Sequence, residues 1–181
     1  MNKADLIGYL EGLDTALKGQ ATLTIYGSAA CILLDEPDRT SLDMDVAGPY
    51  SSVDESDLRQ AADSIGFPVN PADDYRGNHI EWIGPLRLCL QAPDAGEVTN
   101  LWQGKKLRIQ TGSIAGLIAS KLVRYDEIDQ GDIRYLLSQR HVPYKEIEEA
   151  VSRLPSTFRN DALVQENLVD LKGDIKMWGI C

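Results

Sequence analysis

Residues 23–47, LTIYGSAACILLDEPDRTSLDMDVA, restrict the fold more than any other stretch, because strand, glycine turn, helix and second strand follow with little spacer. Thr22, Thr24 and Tyr26 alternate with Leu23 and Ile25, which predicts a short half-buried strand. It runs straight into Gly27-Ser28, and the AACILL that follows reads as a buried helix. Asp35, Glu36, Pro37 and Asp38 mark a turn before the two-residue alternation resumes. Leu42, Met44 and Val46 then fall on one face of a second strand, and Ser41, Asp43 and Asp45 on the other.

Carboxylates at i and i+2 of a strand project side by side, with Cα atoms roughly 6–7 Å apart. Such a pair suits a hard divalent cation, Mg²⁺ or Mn²⁺, and leaves positions open for water and the phosphates of a nucleotide. A glycine at a strand-to-helix junction lets backbone N–H groups approach a phosphate closely, which makes Gly27-Ser28 the other half of a triphosphate grip. The plain alternative is a solvated D-x-D on a strand edge that binds no cation.

Composition narrows the partners. The chain has 181 residues, enough for one domain or a compact core with a helical appendage. Its 43% hydrophobic and 25% charged residues are ordinary for a globular protein. The net charge is −10 and the pI about 4.6. No basic run exceeds Lys105-Lys106, so the broad electrostatic footprint of a duplex DNA binder is missing. Cys31, Cys89 and Cys181 are odd in number and lack any C-x-x-C, and with only His79 and His141 they offer no zinc spacing. Cys31 and Cys89 lie in apolar runs and read as buried thiols. The opening MNKADLIGYLEGL lacks a signal-peptide core, and no stretch approaches the ~20 apolar residues of a membrane span. The expected location is cytoplasmic, with no membrane partner.

Along the chain, Leu6, Leu10, Leu13 and Leu17 predict an amphipathic helix over residues 3–18, ended by Gly19. A helix over residues 56–66 and an irregular crossing with Pro68, Pro71 and Gly77 follow. Residues 78–83 and 86–90 read as strands about a Gly84-Pro85 turn, and residues 97–102 and 105–110 as further extended segments. Ser113 is a suitable N-cap for a helix over residues 114–125. Lys121 lies on that helix's apolar stripe, so either its stem is buried and the ammonium snorkels out, or the charge meets an anion inside. Asp129 and Asp132 open the next helix, where the backbone dipole accounts for Asp129 and Asp132 is placed to pair with Lys121 or Arg124. Two more amphipathic helices cover residues 144–154 and 164–178. The expected fold is α/β: a small mixed twisted sheet flanked by helices over residues 1–112, with a C-terminal helical bundle over residues 113–181 in the same compact unit.

Gly27-Ser28, Arg39, Thr40 and the Asp43-x-Asp45 pair together resemble the signature of the polymerase β-like nucleotidyltransferase superfamily. The likeness is to its minimal bacterial branch, which includes toxin–antitoxin nucleotidyltransferases. Residues 113–137, SIAGLIASKLVRYDEIDQGDIRYLL, are similar to that branch's lysine-bearing helix leading to an acidic pair. The resemblance implies Mg²⁺-dependent transfer of a nucleoside monophosphate from an NTP to a hydroxyl on RNA or protein, with an antitoxin as partner. It implies Asp43 and Asp45 as catalytic metal ligands, and Gly27, Ser28, Arg39, Thr40 and Lys121 as nucleotide contacts. The superfamily usually carries a third carboxylate on the strand after the pair, and LRLCLQ has none. Glu81, in HIEW, is the available substitute. Arg87 or Cys89 at that place would instead indicate a non-catalytic module that binds a nucleotide or a protein.

Overall fold

Leucines at the predicted spacing build α1 (Lys3–Ala16), whose Leu6, Leu10 and Leu13 are buried. Asn2 starts it with a capping box, the Asn2 side chain accepting from the Asp5 backbone while Asp5 accepts from the Asn2 backbone. The computed structural model describes residues 1–94 and 97–180, so Cys181 lies outside the described residues. Two compact units divide the chain: Met1–Leu88 with Val98–Thr111, and Cys89–Glu97 with Gly112–Cys181.

The first unit holds a mixed five-stranded sheet. Its strands are β1 (Ala21–Tyr26), β2 (Asp43–Ala47), β3 (His79–Ile83), β4 (Thr99–Gln103) and β5 (Leu107–Thr111), in the order β3-β2-β1-β5-β4. β1 runs antiparallel to β2 and parallel to β5, β2 runs parallel to β3, and β4 and β5 form an antiparallel pair. The short α2 (Gly27–Leu33) joins β1 to β2, and α3 (Glu55–Ser64) lies in the crossover from β2 to β3.

β1 is the centre of the sheet, and this corrects the expectation of a half-buried strand. With a strand on each side, it buries every residue but Thr22. Its polar Thr24 is wholly buried yet satisfied, donating to the Tyr50 carbonyl at 2.7 Å and accepting from Gln110 at 3.1 Å. Asp14, near the end of α1, accepts backbone N–H bonds from Lys105, Lys106 and Leu107 at 3.1, 2.7 and 2.8 Å. One carboxylate thus fastens the turn between β4 and β5.

Two strand expectations give way. Leu42 precedes β2 and is 60% exposed, so the apolar face of that strand begins at Met44. Residues 86–90 form no strand: the chain turns at Pro85, Leu86 and Arg87, and Leu86 is 92% exposed. Gly84-Pro85 opens this turn directly after β3, and no neighbouring strand receives the alternating LRLCLQ. Alternation alone records spacing, not pairing.

The second unit is helical: α4 (Ile114–Lys121), α5 (Glu127–Gln139), α6 (Tyr144–Ser152), α7 (Ser156–Arg159) and α8 (Ala162–Met177). Ser113 caps α4, its hydroxyl accepting from the Gly116 N–H at 3.1 Å. α4 ends four residues earlier than predicted because Tyr125 takes a left-handed φ of 56°, and the buried Asn167 side chain donates to the Leu122 carbonyl at 2.8 Å. Among the described residues the protein is therefore a mixed α/β chain of five strands and eight α-helices, and no helix is long and apolar enough to cross a membrane.

Candidate functional site

The acidic site is built by the pairing of β2 with β3. Because the two are parallel and Asp43 lies opposite His79 and Asp45 opposite Glu81, the side chains of both pairs leave the same face of the sheet. Asp43, Asp45 and Glu81 each offer a carboxylate oxygen, and these oxygens lie within 4.8 Å of one another. All three residues are half-buried. On the opposite face Met44, Val46 and Ile80 are fully buried, which fixes the register and hence the direction of the acids.

Neighbours orient the cluster. The Ser41 hydroxyl donates to Asp43 Oδ1 at 2.7 Å. Gly27, at φ 67°, opens α2 beside Asp45, and a Cβ at that position would collide with the Asp45 carboxylate. No residue but glycine satisfies both the left-handed backbone and this approach. Ser28 follows, and its hydroxyl accepts a hydrogen bond from Arg39, which also donates to the Thr40 carbonyl at 2.8 Å. Gly27, Ser28, Arg39 and the 39–41 loop thus border the carboxylates, whereas the Thr40 side chain is exposed.

Arg87, which the alternation of LRLCLQ named with Cys89 as a residue that could face the site, adds a cation from a turn and not from a strand. From the turn after β3 its guanidinium reaches Glu81 Oε1 at 2.5 Å. The hydrogen bond and charge of Glu81, with smaller contributions from Tyr26 and Asp45, hold the Arg87 guanidinium above its ordinary range against a small burial cost. Sequence alternation expected Arg87 on a strand, and only the turn brings it back toward β3. Cys31 is fully buried, as expected, whereas Cys89 is only half-buried, and neither is in a disulfide.

Lys121 lies in the helical unit, 5% exposed, where its ammonium pairs with Asp129 at 3.3 Å and with Asp132. Arg124 donates to the same Asp129 through Nε at 2.9 Å and Nη2 at 3.2 Å. The charge on the apolar stripe therefore meets anions inside. The N-cap of α5 is Asp126, which accepts from the Ile128 and Asp129 N–H groups at 3.0 Å each. Asp129 is a buried ion-pair partner beyond what the helix dipole alone requires. Comparison with protein-family models, curated proteins and solved structures finds no match to this chain.

Proposed function

We propose that the protein is a Mg²⁺-dependent nucleotidyltransferase of the polymerase β-like kind, moving a nucleoside monophosphate from an NTP to a hydroxyl on RNA or protein. The observation that supports this reading above all is the convergence of Asp43, Asp45 and Glu81 on one face of two adjacent strands, within 4.8 Å. The donor set fits the ion: three neighbouring carboxylates supply the hard oxygen ligands that Mg²⁺ prefers. A bound Mg²⁺ would polarise the α-phosphate and offset the charge that builds on departing pyrophosphate.

The chain's own groups divide the remaining work. Asp43, held by Ser41, and Asp45, seated against Gly27, would hold the metal. Glu81, the third carboxylate, completes the ligand set or takes the proton of the attacking hydroxyl. Ser28 and Arg39, already hydrogen-bonded to each other, present a hydroxyl and a positive charge to the triphosphate. Lys121 is committed to Asp129 and Asp132 and is given no phosphate contact in this reading. A toxin of a toxin–antitoxin pair, with an antitoxin as partner, is the biological setting we propose on the resemblance alone.

One observation favours a second reading. Arg87 occupies Glu81 with an ion pair, as a non-catalytic nucleotide- or protein-binding module would have it. Transfer of label from α-³²P NTPs to RNA and protein acceptors separates the two. Incorporation by the wild type and none by Glu81→Gln supports the enzyme. Metal-dependent NTP binding with no incorporation into any acceptor supports the module.

A further inference from the structure

The Arg87–Glu81 pair combines two features that point in different directions. Glu81 is one of three carboxylates gathered on one face, and its side chain is 27% exposed. Arg87 is 71% exposed, and its guanidinium bonds Glu81 Oε1. It stands on a turn that begins at Gly84, where even an added Cβ would meet nothing within 4 Å. Arg87 sits on Glu81 Oε1, an oxygen of the carboxylate that a cation held by all three acids would also engage, and an ion pair whose guanidinium lies largely in solvent is weak enough to yield.

We propose that Arg87 is a built-in competitor of the divalent cation: its guanidinium holds Glu81 while the carboxylates are metal-free and releases it when the cation enters. The inference rests on the metal-site reading above and adds to it a control on metal entry. The ion pair keeps the third carboxylate facing its neighbours in the absence of metal, and it sets a threshold concentration of cation below which Glu81 stays occupied. Arg87 acts through Glu81 and is a positioning residue. Its effect should weaken in salt, since the pair is solvent-exposed.

The test is a Mn²⁺ titration followed by electron paramagnetic resonance of the free ion, on wild type, Arg87→Gln, Glu81→Gln and the double variant. Arg87→Gln is expected to bind Mn²⁺ about two- to fivefold more tightly than wild type, the range an exposed ion pair supplies. In the Glu81→Gln background the same change should give no gain, whereas a general field effect would give the same gain in both. A second readout follows the ¹⁵N guanidinium resonances of Arg87, identified by their loss in Arg87→Gln, which should move to free-arginine positions on saturation with Mg²⁺. If the wild type binds Mn²⁺ through Asp43 and Asp45 but Arg87→Gln binds with equal or lower affinity, the competitor role is wrong and the metal site stands. Absence of Mn²⁺ binding in both wild type and Arg87→Gln would overturn the metal site and the competitor role together.

Discussion

At the scale of single residues, Gly27 joins the backbone to the site. It holds a φ of 67°, and its Cα faces the Asp45 carboxylate. Gly27→Ala should cost about 1–2 kcal/mol from the left-handed backbone alone, and it should also displace Asp45. Urea unfolding and Mn²⁺ titration of the same variant check both effects; unchanged metal affinity would show that the close approach has no role in the site. Asp14 offers a pH-dependent test. Burial raises its pKa, but the backbone donors of Leu107, Lys106 and Lys105 and the Lys106 charge outweigh this and hold it below the ordinary carboxylate range. A carboxyl with a depressed folded pKa adds stability above its unfolded pKa, and that stability is lost as pH falls through the folded value. Asp14→Ala should therefore lower stability by about 1–3 kcal/mol near neutral pH. The gap to wild type should narrow in acid, as read from thermal unfolding across pH. The D-x-D pair was legible because alternation fixes the face of Asp43 and Asp45. Glu81 was legible only as a candidate, since its distance depends on the register between β2 and β3. Arg87 was placed on the wrong element, and Ser41, which steadies Asp43, carried no signal beyond its alternation.

Elements were more legible than their partners. The leucine spacing gave α1, the Gly27-Ser28 junction gave the start of α2, and Ser113 gave the cap of α4. The LRLCLQ segment shows the limit: it has a strand's alternation but no strand to pair with, and the Gly84-Pro85 turn decides. The four-residue α7 follows Pro155 and is too short to show a period. Between α4 and α5 the packing is ionic, with Lys121 4% exposed at its side chain, Asp132 1% and Asp129 6%. Removing one member of a buried pair strands the other charge, so Lys121→Met should destabilise by about 3–5 kcal/mol. Adding Asp132→Leu should recover a large part of that loss. Urea midpoints of the single and double variants decide it, and a single variant within experimental error of wild type would show that the network is not what holds α4 to α5.

For the whole molecule, charge sets the terms of binding. A chain of net charge −10 repels a free triphosphate, so a nucleotide should bind only with a divalent ion that neutralises both it and the carboxylates. In the proposed reading the mixed sheet would provide the place, since β2 lies between β1 and β3 and brings Gly27 at the end of β1 and Glu81 on β3 to the same carboxylate pair. The central claim is thus that Asp43 and Asp45 bind a metal–nucleotide complex. The most direct measurement is isothermal titration of ATP, GTP, CTP and UTP, each with and without Mg²⁺, into wild type and into an Asp43→Ala, Asp45→Ala double variant of equal stability. The account predicts binding of at least one nucleotide that needs Mg²⁺ and vanishes in the variant. Identical traces from wild type and variant with all four nucleotides, whether null or binding, would contradict it.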